Sequence, residues 1–241
     1  MTLPSARKLY AVIDGTWPSL AKRAVGPWTI RIDGKGGSRV SAATVEAAFG
    51  EADIATAEDA MREVGQTPLF MIREGDAGLD AMLAARGYVI KDPVNLYAAP
   101  VARIATTRPP PITSFEVWPP LAVQTEIWAA GGIGPGRIDV MDRARPPKTT
   151  LLGRIDDRPA GTVFVGIAAD CAMIHALEIA TDHRRKGLAR HLTQAAAFWA
   201  QDNGAAFLTL VTTQANAGAN TLYSSLGMTL VGQYHYRILP E

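Results

Sequence analysis

The chain has 241 residues, 48% hydrophobic and 20% charged, with 24 Lys+Arg against 23 Asp+Glu and a formal net charge of +1. That length suits one or two packed cores, and so small a net charge argues against nucleic-acid binding as the main business of the surface. The single cysteine, Cys171, cannot form an intrachain disulfide, which fits a reducing compartment; its apolar surroundings predict a buried, inert thiol. No N-terminal apolar stretch resembles a signal peptide and no run reaches membrane-spanning length, so the expected location is cytoplasmic with no membrane partner.

In chain order, strands are predicted over 28–32 and 39–43. Gly34-Lys35-Gly36-Gly37 between them reads as a hairpin turn rather than a phosphate cradle. A helix follows over about 54–64, then a strand over 69–72 and a short helix around Met82 and Leu83. Arg108-Pro109-Pro110-Pro111 is the clearest break, because three consecutive prolines cannot continue a helix or a central strand. The expected organisation is one unit over 1–105, a Pro-rich linker over 106–112, and a second unit over 113–241. The second unit opens with a helix over 120–130, a Gly-rich loop over 131–136 and a short helix over 137–142. Strands are expected over 149–155, 161–168 and 173–180, with turns at Asp156-Asp157 and Ala169-Asp170. The 131–136 loop lacks a preceding strand and carries a proline, so it reads as a substrate-side loop.

The most informative stretch is Arg184-Arg185-Lys186-Gly187-Leu188-Ala189. It follows an apolar strand-like run over 171–180 and opens a run of helical spacing in which Leu188, Leu192, Ala195, Ala196 and Trp199 share a face. A strand turning sharply into a helix leaves the first helical N–H groups without partners. Gly187 and Ala189 let a ligand approach that backbone closely, and Arg184, Arg185, Lys186 and Arg190 add positive potential. Such a turn suits a pyrophosphate. The P-loop pattern and the G-x-G-x-x-G dinucleotide pattern are both absent.

The pattern R-x-x-G-x-A after Leu177-Glu178-Ile179 resembles the acyl-CoA loop of the GNAT superfamily of N-acetyltransferases, written [QR]-x-x-G-x-[GA]. The continuation strengthens the resemblance. A strand over 207–211 is followed by Asn216, Ala219, Leu222, Tyr223, Gly227 and Met228 at the superfamily's N-x-x-A-x-x-L-Y-x-x-x-G-[FM] spacing. It covers about 149–238, with Ala189 and Met228 as conservative departures. The resemblance implies an α/β (α+β) fold with a mixed, mostly antiparallel sheet flanked by helices. It also implies acetyl-CoA as co-substrate and acetyl transfer to a primary amine; attack is expected to be direct, since no suitably placed Cys or Ser stands out, and no metal is expected.

The two halves look related. An offset of 140 positions lays Ala77-Gly78 on Ala217-Gly218, Gly87 on Gly227 and Pro100 on Pro240. The first half then reads as a degenerate GNAT-like unit. Phe49-Gly50-Glu51-Ala52-Asp53 is acidic where a phosphate loop should be basic, Leu83 stands opposite Tyr223, and Asp76 opposite Asn216.

The resemblance implies roles for individual residues. Tyr223 would protonate the departing thiolate; a packed aromatic is the alternative. Backbone groups of Leu177, Glu178 and Ile179 would hold the pantetheine arm and the thioester carbonyl. Arg184, Arg185, Lys186, Gly187, Leu188 and Ala189 would hold the phosphates, with Arg190 a weaker candidate. Asn216 would contact the CoA arm, and would equally suit a helix N-cap. Met173 stands where other members carry a glutamate base, which leaves His175 first, Glu178 second, and a water chain third. His175 could instead be a core histidine, and Glu178 a solvated or structural carboxylate. Strand parity puts His175 and Glu178 on opposite sides of the sheet unless a bulge intervenes. The four histidines (His175, His183, His191, His235) form no metal-binding pattern. Two competing readings are a non-catalytic acyl-CoA-binding sensor or scaffold and a transferase using a longer acyl-CoA. The sequence carries no code for the acceptor, a small-molecule or peptide amine, or for the oligomeric state.

Overall fold

An exchange of one strand between the two halves of the chain organises the molecule. A computed structural model describes residues 2–33 and 35–240. The first half contains α1 (Ala6–Thr16), β1 (Ala21–Val25), β2 (Trp28–Ile32), α2 (Ser38–Ser41), β3 (Ala43–Val45), α3 (Glu51–Glu63), β4 (Leu69–Ile72), α4 (Ala77–Ala85), β5 (Val89–Pro100) and α5 (Val101–Ile104). The second contains β6 (Ser114–Val117), α6 (Ala122–Ala130), α7 (Pro135–Arg143), β7 (Lys148–Ile155), β8 (Arg158–Ala168), β9 (Cys171–Ile179), α8 (Leu188–Asp202), β10 (Phe207–Thr213), α9 (Ala217–Ser225) and β11 (Thr229–Ile238). Residues 105–113 between them carry neither helix nor strand.

Among the described residues all eleven strands join one sheet in the order β1-β2-β3-β4-β11-β5-β10-β9-β8-β7-β6. Only β3/β4 and β9/β10 run parallel, so the sheet is mixed and mostly antiparallel, as expected. At its centre β5, from the first half, pairs with β10, and β11, from the second half, pairs with β4. The two exchanged strands pair with each other. Neither half therefore completes its own sheet.

The 140-position offset reappears in the elements. It separates the starts of α4 and α9, at Ala77 and Ala217, and the starts of β5 and β11, at Val89 and Thr229. Gly87 and Gly227, just ahead of those strands, have φ of 86° and 81°, a left-handed conformation that costs glycine little.

Strand alternation divides the core between two faces. On one, Leu188, Leu192 and Ala196 of α8 cover Val163, Val165, Ile174 and Leu210, with Tyr97 and Ala99 of the exchanged β5 in the same cluster. On the other, Leu9, Val12 and Ile13 of α1 pack on Cys171, Met173, Leu96 and Tyr234. Burial of the Cys171 thiol, assisted by Asp170, pushes its pKa up to about 12, so it stays an unreactive SH. In the first half, α3 and α4 cover β2 to β4 through Ile54, Met61, Leu79, Trp28 and Phe70.

The expected strand over 39–43 is corrected. Residues 38–41 form the one-turn helix α2, closed by the Ala42 N–H on Ser38 O and by Ser41 Oγ donating to Gly37 O. Serines bonding to nearby backbone compete with the sheet ladder, so only β3 remains to pair with β2. Gly34 of the expected hairpin turn lies outside the described residues. Helix α1, which the sequence reading did not anticipate, starts where Ser5 Oγ accepts the Lys8 N–H at 3.3 Å. The edge strands β1 and β6 were likewise unanticipated.

Candidate active site

The site begins at a fork in the sheet. β9 and β10 pair in parallel from Cys171↔Phe207 to Ile174↔Leu210 and then separate, β9 staying with β8 and β10 with β5. A bulge lies at the fork. Thr162 pairs with Glu178 but Phe164 with His175, so β9 spends one more residue than β8 over this span. Ala176 takes the strained φ of 51°, and its carbonyl accepts the Trp128 indole N–H from α6 at 2.7 Å. The bulge resets parity. Glu178 and His175 now share the face that carries Thr162 and Phe164, instead of opposing one another.

His175 is fully enclosed. Arg39 Nη1 donates to its Nδ1 at 2.9 Å, Thr16 Oγ1 lies 2.8 Å from its Nε2, and the Trp17 ring stacks on it at 4.9 Å. Thr16 Oγ1 donates to Val12 O at 2.7 Å, and a guanidinium can only donate, so the network assigns the proton to Nε2. Burial, then the Arg39 charge, hold the pKa well below the ordinary 6.5. The imidazole expected to be the first-choice base is thus a neutral ring with both nitrogens engaged. Its partners lie 136 and 159 residues away in sequence, beyond the reach of any local pattern.

Glu178 and Arg184 are also joined. Arg184 Nη2 donates to Glu178 Oε1 at 2.9 Å and its Nε to Ile179 O at 3.0 Å. Arg184, expected on the phosphates, is turned back onto β9 because the 3-10 turn Thr181–His183 folds the chain there, and it occupies the Ile179 carbonyl. Glu178 Oε2 has no hydrogen-bond partner among the described residues. It faces a cleft of about 380 Å³ that α6 lines with Val123, Glu126 and Ile127.

Past this pair the chain opens into the loop. Arg185 and Gly187 have φ of 65° and 85°, and α8 makes its first internal bonds from Arg190 and His191 to Gly187 O. The five amides of residues 185–189 have no hydrogen-bond partner among the described residues. Arg185, Lys186 and Gly187 are exposed, and a Cβ built on Gly187 would meet nothing within 4 Å. Arg190 reaches across to Ser225 Oγ at 2.8 Å, leaving Arg185 and Lys186 as the loop's cations without a partner among the described residues. Bare amides beside two cations and a helix N-terminus suit a diphosphate.

On α9, Asn216 Oδ1 accepts the Ala219 N–H at 3.0 Å, so it is a helix N-cap, with its side-chain amide nitrogen left over. Tyr223 is buried in the cluster beneath α8, 6.1 Å from Tyr97. Burial raises its phenol to about 12, so it carries its proton at neutral pH, and its hydroxyl makes no hydrogen bond among the described residues. No group of three or more His, Cys, Asp or Glu able to hold a metal occurs among those residues, and no helix there is long and apolar enough to cross a membrane.

A parallel strand pair that forks, followed by a bare-amide turn and an α8–β10–α9 succession, is the arrangement expected of a GNAT-type acyltransferase. Residues 111–228 match the Acetyltransferase (GNAT) family, whose members use acetyl-CoA as co-substrate. Over 249 residues the protein is 24% identical to YobR, an uncharacterized N-acetyltransferase of Bacillus subtilis (strain 168), covering 96% of this chain and 98% of that one. A GCN5-related N-acetyltransferase from Kribbella flavida shares the fold with a TM-score of 0.73 and 20% identity over 98% of this chain and 96% of that one. A tandem GNAT protein from the clavulanic acid biosynthesis pathway aligns with a TM-score of 0.57 and 14% identity, covering 81% and 74%.

Proposed function

We propose that this is a tandem GNAT protein whose second unit, residues 113–241, binds acetyl-CoA and transfers the acetyl group directly to a primary amine. Residues 1–105 are a degenerate unit without a CoA loop, tied to the second by the 106–112 linker. The observation that carries the reading is the run of unpartnered amides at 185–189, where the fork between β9 and β10 ends. The shared 140-position offset and the likeness to a tandem GNAT protein support the duplication. The start of α3 supports the loss of the first unit's loop: Asp53 Oδ2 accepts the Gly50 N–H at 2.7 Å, a carboxylate at the position where a phosphate would go.

In this reading Arg185, Lys186 and the amides of Gly187, Leu188 and Ala189 hold the diphosphate. The pantetheine arm runs along the unpaired edge of β9 at Leu177 and Glu178, and the Asn216 amide meets it. An alkylammonium with a pKa near ~10 must shed a proton before it can attack. Glu178 Oε2 takes that proton, directly or through water, because His175 has no free lone pair. The amine nitrogen then bonds to the thioester carbon, a backbone N–H of β9 steadies the oxyanion, the C–S bond breaks, and Tyr223 protonates the leaving sulfur. The nitrogen of the adduct sheds its second proton to solvent as the amide forms, solvent restores the phenol proton, and Glu178 releases its own proton to solvent. The test is a panel of primary amines monitored for CoA release, with Tyr223→Phe run beside the unaltered protein. Turnover on some amine that collapses in the variant supports the reading, and equal turnover removes Tyr223 from it.

A further inference from the structure

Arg39 and Arg137 differ from most of the other half-buried arginines among the described residues. Arg31, Arg73, Arg143 and Arg237 each hold a carboxylate. Arg39 and Arg137 form no ion pair among the described residues, although they sit together on one pocket of about 180 Å³. Burial, and then the neighbouring Arg39 charge, lower the Arg137 pKa, against a smaller raising influence of Asp92. Two guanidiniums lining one pocket without pairing to a carboxylate are an unsatisfied arrangement unless an anion completes it.

The pocket lies at the fork. It is lined by Val211, Thr212 and Thr213, the part of β10 beyond its last pairing with β9, and by Tyr236, whose buried hydroxyl has no hydrogen-bond partner among the described residues. Arg39 is held in place from behind: His175 Nδ1 accepts its Nη1, and the guanidinium lies over the Trp17 ring at 4.8 Å. Its remaining N–H groups are free to serve the pocket. Exposed Asp92 is the one carboxylate on the lining, and it pairs with neither arginine.

We infer that this pocket receives the acceptor, and that the acceptor is an amine carrying a carboxylate, which Arg39 and Arg137 bind while the amine reaches the fork. The identity of the reacting group rests on the transferase reading above, whereas the carboxylate subsite rests on the pocket alone. His175 is then a positioning residue that aims Arg39. The pocket draws on both halves of the chain: Arg39 comes with α2, Arg137 with α7, and Tyr236 with the exchanged β11.

Calorimetry on the full chain, titrated with N-acetylglycine and with N-acetylglycinamide, tests the subsite without requiring turnover. The acid is expected to bind at least about tenfold more tightly than the amide. Arg137→Gln should erase the preference, while Arg137→Lys should retain part of it. His175→Leu should weaken acid binding, and His175→Asn, whose Oδ1 can stand in for Nδ1, should restore it. Equal affinity for acid and amide, or a preference that survives Arg39→Gln with Arg137→Gln in a folded double variant, overturns the proposal. A parallel acetyl-CoA titration separates the two readings. No acetyl-CoA binding alongside a retained acid preference sinks the transferase and leaves the carboxylate subsite standing.

Discussion

Arg39 Nη1 lies 2.9 Å from His175 Nδ1, and this contact makes the histidine an acceptor that cannot be protonated without losing its partner. The consequence is a pH-dependent stability. The folded pKa lies well below 6.5, so below pH 6.5 the unfolded chain binds a proton at His175 that the native state refuses. The stability is complete above pH 6.5 and is lost as pH falls toward the folded pKa, at up to about 1.4 kcal/mol per pH unit. Denaturant unfolding between pH 7.5 and 5 should show this slope, and His175→Asn should flatten it. The same slope in wild type and variant would assign it to other groups.

Tyr223 offers a kinetic prediction. Tyr223→Phe should lower kcat by about 10²–10⁴, the usual range for a lost general acid, and leave the KM for acetyl-CoA nearly unchanged. The ring packs among Tyr97 and the α8 cluster and its hydroxyl has no protein partner to lose, so melting temperature should hardly move.

Glu178→Gln keeps the shape of the side chain and its contact with Arg184 while removing the proton acceptor. The rate should fall by about 10²–10⁴ at saturating acetyl-CoA. A rate that hardly changes would transfer the role to a water chain.

Gly187 is at φ 85° with open space around its Cβ position. Gly187→Ala should cost roughly 1–2 kcal/mol of stability from the left-handed backbone alone. It should also raise the KM for acetyl-CoA by crowding the loop amides. A variant that loses stability but binds acetyl-CoA normally would place the diphosphate elsewhere.

The strand exchange predicts how the chain behaves when cut. A fragment of residues 106–241 loses β5 and bares the edges of both β10 and β11, a template for pairing between chains. Expressed alone it should aggregate or fail to unfold cooperatively. Co-expression with residues 1–105 should rescue it. A stable, monomeric 106–241 fragment would contradict the reading.

Local signals made the second half legible. Apolar runs, turn residues and the 3.6-residue spacing of Leu188, Leu192 and Ala196 located β7 to β10 and α8 within a few residues. The offset of 140 positions was visible because α4 and β5 repeat α9 and β11 without a gap. What escaped depended on distant partners. His175 cannot be told from a base until Thr16 and Arg39 arrive from the other half, and Arg39 and Arg137 meet only after folding. The bulge at Ala176 was foreseen only as a condition, because an alanine at positive φ leaves no compositional mark. Nothing in the local pattern of β5 says that its neighbours will be β10 and β11.

The central claim is that the amides of residues 185–189 hold a diphosphate, and calorimetry comparing acetyl-CoA with S-acetylpantetheine, which lacks that group, tests it most directly. Acetyl-CoA should bind at least about tenfold more tightly, with the difference shrinking when Arg185 and Lys186 are both changed to Gln. Equal binding of the two thioesters, or no binding of acetyl-CoA, would contradict the account.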